Sequence, residues 1–175
     1  VLRALTNPLD DFSLLAALRG PFARISLDAV AVLAMRSPVS EAIKQLEQLP
    51  IIDDDDLEKL KDFSSWFLPL ARYADRLPAW EVLSEVLGRS RFLESLACGM
   101  HAEQQLANIR KLLALSVEQP ELGPREFADQ IWEIQQLGHR EGDAPIVDEH
   151  ADVVRIMTIH KAKGLQFPVV VVPDL

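Results

Sequence analysis

Cysteine is almost absent from this 175-residue sequence: Cys98 stands alone, so no disulfide can form within one chain. That scarcity is typical of the reducing cytoplasm. No stretch approaches the ~18 consecutive apolar residues of a membrane-spanning helix, and the opening VLRALTNPLDDF lacks the long apolar core of a signal peptide. These absences predict a cytoplasmic protein without contact with a membrane.

Positive charge is also scarce. Lysine and arginine number 18 against 27 aspartates and glutamates, which gives a formal net charge of −9. Proteins that bind nucleic acid through bulk electrostatics are basic, because Lys and Arg must neutralise phosphates. This chain is therefore expected to hold DNA locally or not at all. The charges are uneven, since an acidic stretch (Glu141, Asp143, Asp148, Glu149, Asp152) precedes a short basic one (Arg155, Lys161, Lys163).

Motifs for metal binding and nucleophilic catalysis are missing. The sequence contains no HExxH, CxxC or GxSxG, and its four histidines are scattered, so we expect neither a metal site nor a catalytic residue. Four consecutive aspartates, Asp53 to Asp56, could suggest a divalent cation site. Acidic residues at the positive end of a helix dipole are the commoner explanation.

Helical patterns dominate the first ~150 residues and predict a bundle of about seven helices. Helix starts are indicated at Asn7-Pro8, where Asp10 and Asp11 follow, at Ser37-Pro38 and at Gly123-Pro124. Apolar residues recur at helical spacing in five further places: Leu27, Val30 and Ala31; Ala42, Ile43 and Leu46; Leu57, Leu60, Phe63, Phe67 and Leu70; Leu106, Ile109, Leu112 and Leu113; Phe127, Ile131, Trp132 and Ile134. The segment WEVLSEVLGRSRFLESL is also amphipathic. In the helix that follows the aspartate run, Pro69 is expected to cause a kink or a break.

The pattern changes after GHREGDAP. From Val153 the residues are strand-like, and the run PVVVV near the end lacks polar alternation, as in a strand buried on both faces of a sheet. Two strands alone are marginal in water. We therefore expect the last residues to belong to an incomplete α/β domain of a longer protein, and the absence of Met at Val1 is compatible with this.

A basic turn, HKAKGLQ, connects the two predicted strands. It is not a Walker A loop, since the order glycine, lysine, Ser/Thr is absent. The carboxyl ends of strands in open α/β sheets are common ligand sites, and lysines with a glycine could meet an anion there. From the residues alone, a surface turn with two solvated lysines is an equal alternative.

The block VVRIMTIHKAKGLQFPVVVV resembles motif V of the UvrD/Rep-type superfamily 1 DNA helicases, in the AddA/RecB-like branch of helicase-nuclease subunits. The segments NPLDDFSLLAALRGPF and EQQLANIRKLLAL are similar to parts of the 2B subdomain in that branch. The resemblance implies that residues 1–150 are a helical 2B-like subdomain. Residues 151–175 would then be the motif V segment of the second RecA-like domain, 2A.

The resemblance also implies roles for single residues. Thr158, His160 and Lys161 are expected on the DNA side of the motif, and Lys163, Gly164 and Gln166 on the nucleotide side. Gln166 stands where the family usually has Glu, and an amide can bond a sugar hydroxyl but brings no charge. The segment RGPFARIS lacks the Gly-Ile-Gly turn with which some relatives grip duplex DNA.

The implied parent protein would use ATP and Mg²⁺, act on single-stranded and duplex DNA, and have a helicase-nuclease partner subunit. The sequence lacks a Walker A lysine loop, an acidic motif II and an arginine-bearing motif VI, so this chain alone is expected to bind neither cofactor and to be inactive. The alternative is a free-standing helical interaction protein with an acidic surface, whose C-terminal strands join a partner's sheet edge.

Overall fold

The structure is a computed structural model, and it describes residues 1–49, 52–97, 101–136, 157–164 and 166–172. Helices account for the regular structure of these residues. They are α1 (Leu2–Thr6), α2 (Asp11–Arg19), α3 (Leu27–Ala34), α4 (Val39–Ala42), α5 (Asp54–Ala71), α6 (Ala79–Arg89), α7 (Phe92–Ala97), α8 (Ala102–Val117), α9 (Pro124–Gln136) and α10 (Ile159–Ala162), with single 3-10 turns at Leu46–Gln48 and Ala74–Arg76.

The mainly helical class predicted from the sequence is confirmed, but the helices are more numerous and shorter than the seven expected. WEVLSEVLGRSRFLESL is divided between α6 and α7, because Ser90 has extended backbone angles (φ −91°, ψ 157°) and ends α6. Its hydroxyl donates to the carbonyl of Val86 at 2.6 Å, which satisfies a carbonyl in the last turn of the helix.

Side-chain caps fix two helix starts in the first part of the chain. The Asp10 carboxylate accepts a hydrogen bond from the Ser13 N–H at 2.9 Å, and the Ser26 hydroxyl accepts from Ala29 N–H at 3.1 Å. The cap of α2 is therefore Asp10, whereas the sequence pattern had placed the helix start at Asn7. The Asn7 side chain accepts instead from the Leu9 N–H at 3.1 Å, in the turn that leaves α1.

Helix α5 is the longest and runs through the centre of the core. Asp53 precedes it and Asp54 to Asp56 form its first turn, as the aspartate run predicted. Of the predicted kink or break at Pro69, the break is wrong, because the helix continues to Ala71 before it ends. Pro69 has no N–H to donate to the Ser65 carbonyl, and only two residues of the helix follow it.

Aromatic rings on α5 form the centre of the core. Phe63 packs against Phe67 (ring centroids 4.8 Å apart, 23° between planes) and edge-on against Trp66 (4.8 Å, 66°). Phe63 and Phe67 are fully buried, and Trp66 also approaches Phe22 from the α2–α3 connection. Pairs at these separations add to the stabilisation from burial alone.

Two carboxylates tie the helices together. Asp56, in the first turn of α5, is buried and accepts the backbone N–H of Ser26 at 3.0 Å, just before α3. Asp11, at the start of α2, accepts from the Val39 N–H at 2.7 Å and from the Ser37 hydroxyl at 2.9 Å. Both carboxylates accept backbone N–H groups at the start of another helix. Asp56 therefore holds α5 against the start of α3, and Asp11 holds α2 against the start of α4.

The C-terminal strands are not confirmed. Residues 166–172 form no strand in the structure, and Val169, Val170, Val171 and Val172 are 79%, 67%, 83% and 47% exposed. The first predicted strand, beginning at Val153, lies mostly outside the described residues. The valines of PVVVV have no neighbouring strand among the described residues, and two strands cannot by themselves bury both faces of a sheet.

Within the described ranges, none of the helices combines the length and the apolarity that crossing a membrane requires.

Candidate functional site

The predicted basic turn is a single helical turn followed by a left-handed glycine. Helix α10 begins after Thr158, whose carbonyl accepts the Ala162 N–H at 3.0 Å, and Lys163 and Gly164 form the turn that follows. Gly164 has φ +90°, a conformation that side chains with a Cβ rarely adopt. An added Cβ would meet no atom within 4 Å, so backbone conformation is the reason for glycine here.

The predicted site residues lie together on the surface. Thr158, His160, Lys163, Gly164 and Gln166 are all exposed within nine consecutive residues. Lys161 lies in α10, but its side chain is outside what the structure describes. The turn therefore presents a hydroxyl, an imidazole, an ammonium and an amide to solvent, and each can donate a hydrogen bond to a phosphate or sugar oxygen.

The two predicted groups of residues occupy the two ends of α10. Thr158 and His160, assigned to DNA, lie at its start and within it, whereas Lys163, Gly164 and Gln166, assigned to the nucleotide, follow it. Because α10 has only four residues, little more than one helical turn, the two groups of residues lie close together.

Sequence patterns missed the helical turn itself, since four residues are too few for a periodicity to show. The residues that flank the helix did carry a signal. A threonine directly before Ile159 and a glycine two residues after Ala162 are typical of a helix start and a helix end.

The segment RGPFARIS, which lacks the Gly-Ile-Gly turn, forms the connection between α2 and α3. Arg24 has a left-handed backbone (φ 59°), and its guanidinium Nη2 donates to the carbonyl of Ser95 at 2.6 Å. The Ser95 hydroxyl in turn donates to the carbonyl of Pro21 at 3.2 Å. This connection is therefore bonded to α7.

Among the residues that the structure describes, no group of three or more His, Cys, Asp or Glu side chains could hold a metal ion. In the aspartate run, Asp56 bonds the Ser26 N–H and Asp55 pairs with Lys59 at 2.5 Å. The hydrogen bond from Lys59 to Asp55 raises the pKa of the lysine. Those carboxylates act as helix-end and ion-pair groups.

Comparison with known proteins identifies the family. A family model for the UvrD-like helicase C-terminal domain matches residues 40–175, a range that contains the turn and most of the helices. The chain therefore belongs to the UvrD-like helicase C-terminal domain family, as the resemblance of the motif V block indicated.

The whole chain is similar to bacterial proteins that are named as subunits of the ATP-dependent helicase/nuclease. Identity is 33% over 181 residues with the protein of Thermoanaerobacter pseudethanolicus, 31% over 192 residues with that of Syntrophomonas wolfei, and 30% over 176 residues with that of Bacillus licheniformis. These matches cover 97–100% of this chain but only 14–15% of the relatives, so the chain corresponds to about a seventh of their length.

Proposed function

We propose that this chain is part of an ATP-dependent DNA helicase of the helicase-nuclease type, acting in DNA unwinding, recombination or repair. The observation that carries the proposal is the exposed turn from Thr158 to Gln166, with its left-handed glycine, inside the range matched by the UvrD-like family. The names of the relatives support the same activity.

The chain divides into two functional parts. Residues 1–150 form a 2B-like subdomain that orients duplex DNA or a partner subunit, and residues 151–175 form the motif V segment of domain 2A. The helices of the first part, built on a buried aromatic centre around Phe63, suit a rigid subdomain. The relatives are named as one subunit of a larger enzyme, which supports a partner subunit for this protein. We place the complete protein in the cytoplasm.

Motif V couples two ligands. Thr158, His160 and Lys161 contact the backbone of single-stranded DNA, while Lys163, Gly164 and Gln166 line the ATP cleft. Hydroxyl, imidazole and ammonium groups are suitable donors to phosphate oxygens, and a glycine lets the backbone approach a ligand closely. Their proximity on either side of α10 supports a role in which nucleotide state changes the grip on DNA.

ATP and Mg²⁺ belong to the complete motor. There, ATP closes the cleft between two RecA-like domains and moves the protein along single-stranded DNA. Phosphoryl transfer requires a phosphate-binding loop, an acidic magnesium ligand and an arginine, and the present sequence contains none of these motifs. The 175 residues alone are therefore expected to bind no ATP. No observation favours the free-standing adaptor.

The test is binding of fluorescein-labelled single-stranded DNA, followed by anisotropy at low and moderate salt. We compare the chain with His160→Ala/Lys163→Ala and with a charge-matched control, His101→Ala/Lys61→Ala, whose two side chains are also exposed. We expect weak binding by the chain and by the control. The affinity of the turn variant for single-stranded DNA should be at least fivefold lower, because the turn supplies positive charge on an otherwise acidic chain.

An equal loss of DNA affinity in both double variants would show that any exposed lysine can support the binding, and it would contradict a role for the turn. Absence of binding by the unaltered chain at low salt would contradict DNA contact by the turn outside the complete motor.

A further inference from the structure

Helix α9 is anchored to the bundle through its first half. Pro124 and Phe127 are buried, and Phe127 belongs to the hydrophobic core. Just before the helix, the carbonyl of Leu122 accepts the N–H of Ala79, the first residue of α6, at 2.8 Å. These contacts fix where α9 begins.

The second half of α9 is held less firmly. From Gln130 to Gln136, all of which the structure describes, no residue is buried, and Trp132 is 51% exposed. The amide oxygen of Gln130 is shielded from solvent, yet it has no hydrogen-bond partner among the described residues. An unpaired acceptor destabilises the closed arrangement, because only opening lets water reach the oxygen. Few buried contacts and an unpaired polar group are features of a segment that opens locally.

One side chain of α1 contacts this part of α9. Arg3 Nη2 donates to Asp129 Oδ1 at 2.7 Å, and Arg3 Cζ lies 5.4 Å from the centroid of the Trp132 ring. Asp129 and Trp132 are three residues apart, so they lie on the same face of the helix. Arg3 therefore joins α1 to α9 by an ion pair and a cation–π contact where the buried contacts of α9 end.

Arg3 lies on a firmly packed helix, whereas its own contacts are partly exposed. Its neighbours Leu2, Ala4 and Leu5 are buried, but the side chains of Arg3 and Asp129 are 37% and 51% exposed. An exposed ion pair and an exposed cation–π contact each change a local equilibrium by a factor of about 1.5–5. Together they should favour the closed arrangement by roughly 3- to 25-fold. A contact of this strength can set a local equilibrium and still be reversed by salt.

We propose that Arg3 is a latch that sets whether the second half of α9 is docked on α1 or locally open. Helix α9 is the last described helix before α10, so its docked or open state changes the direction in which the chain leaves the bundle. The latch weakens as salt rises, because exposed charges are screened. This proposal does not depend on DNA binding by the motif V turn.

The test is amide hydrogen exchange of the 175-residue chain, followed by NMR at residues 131–136. The latch variant is Arg3→Met, which keeps a long apolar side chain but removes the charge. The matched control is Arg89→Met, because Arg89 and Glu85 form an ion pair of similar exposure (41% and 35%) within the single helix α6. A third variant, Gln130→Met, removes the unpaired amide oxygen.

Arg3→Met should speed exchange at residues 131–136 at least about threefold, and Arg89→Met less than about 1.5-fold. Gln130→Met should slow it at least about twofold, since the docked state no longer contains an unpaired acceptor. Moderate salt should speed exchange at these residues in the unaltered chain but not in Arg3→Met. In fluorine NMR of chains that contain 5-fluorotryptophan, the Trp132 resonance should shift in Arg3→Met while those of Trp66 and Trp80 stay in place.

Three results would overturn the proposal. Equal effects of Arg3→Met and Arg89→Met would show that the loss of any exposed ion pair has the same consequence. Faster exchange in Arg3→Met throughout the bundle, including α5, would make Arg3 a general stabiliser of the fold. Exchange at residues 131–136 as slow as in α5 of the unaltered chain would show that this half of α9 does not open by itself.

Discussion

The bundle and the C-terminal segment place their apolar side chains in opposite environments. Phe63, Leu60 and Leu70 on α5 are fully buried, whereas Val169 and Val171, which are as apolar, are about four-fifths exposed. Burial depends on how many elements can pack around a side chain, and α5 has α1, α6 and both 3-10 turns around it. Among the described residues, the apolar contacts that stabilise the chain therefore lie in the bundle.

Polar groups follow the same division. The bundle uses carboxylates internally, since Asp11 and Asp56 accept backbone N–H groups at the starts of other helices. The segment instead presents His160 and Lys163 to solvent. Hydrogen bonds from these two carboxylates thus fix how the helices of the bundle meet.

The largest expected difference between the two regions is in unfolding free energy. Phe63→Ala should lower it by about 3–5 kcal/mol, because it leaves a cavity between Trp66 and Phe67. Val171→Ala should change it by less than about 0.5 kcal/mol, since the side chain is 83% exposed. Urea unfolding followed by circular dichroism measures both. Comparable losses would mean that the valine run is packed in solution, and the contrast between the regions would fail.

Helix α5 shows how far the sequence predicts the fold. The aspartate run indicated its start, and the stripe Leu57, Leu60, Phe63, Phe67 and Leu70 indicated its buried face. Both are confirmed, except that Leu57 is only partly buried. Such a prediction succeeds when one face is apolar and the other polar over several turns. The expected break at Pro69 did not occur, because the helix continues for two residues after it.

Helix α3 shows where the sequence was insufficient. Its existence was predicted, but Leu27 and Ala31 are exposed, and the buried residues are Ala29 and Leu33. The helix is apolar on nearly every side, so periodicity cannot choose a face, and contacts with α2 decide it. In α8 the apolar stripe was visible, but the sequence did not show that Ile109, Leu112 and Leu113 would be only partly buried.

The candidate site depended on a different kind of information. Residues 158 to 166 were found through the resemblance to a family motif, and the structure adds the short helix α10 and the left-handed Gly164. Which of these residues contact DNA and which contact the nucleotide stays a prediction. Residues at a solvent-exposed turn produce no hydrophobic periodicity. From the residues alone, a surface turn with two solvated lysines was therefore an equal alternative to a ligand site.

A second prediction separates two neighbouring aspartates of the bundle. Asp56→Ala should destabilise the chain by about 1–3 kcal/mol, because the partly buried N–H of Ser26 loses its acceptor. Asp54→Ala, in the same turn but exposed, should cost less than about 0.5 kcal/mol. Thermal unfolding at neutral pH compares the two. Equal effects would indicate that the run acts through its total charge at the helix start.

A third prediction concerns the cap of α2 and its dependence on pH. Asp10→Ala should cost about 0.5–2 kcal/mol at pH 7, since Ser13 N–H loses its partner. The hydrogen bond from Ser13 lowers the pKa of Asp10 from 3.8 in the folded state. The stabilisation from ionised Asp10 is therefore complete above pH 3.8 and is lost as pH falls through the lower folded value.

Unfolding of Asp10→Ala and the unaltered chain, measured from neutral pH down to the acid range, should give a difference that shrinks at the acid end. Asp10→Asn keeps a capping oxygen without the titrating charge, so its stability relative to Asp10→Ala should not depend on this titration. A difference that grows toward low pH would contradict the assigned cap.

The smallest effects distinguish two glycines, one in each region. Gly88 lies near the end of α6 with open space around it, so Gly88→Ala should stabilise the bundle by up to about 1 kcal/mol through the higher helix propensity of alanine. Gly164 also has open space, but its φ of +90° disfavours any side chain, so Gly164→Ala should strain the turn by about 1–2 kcal/mol.

Because the turn lies outside the core, thermal unfolding of the bundle should hardly change in Gly164→Ala, whereas affinity for single-stranded DNA should fall two- to tenfold. A variant that binds DNA normally would show that the left-handed turn is not required for contact. A lowered unfolding temperature would instead show that the segment packs on the bundle, and the two regions would then share one source of stability.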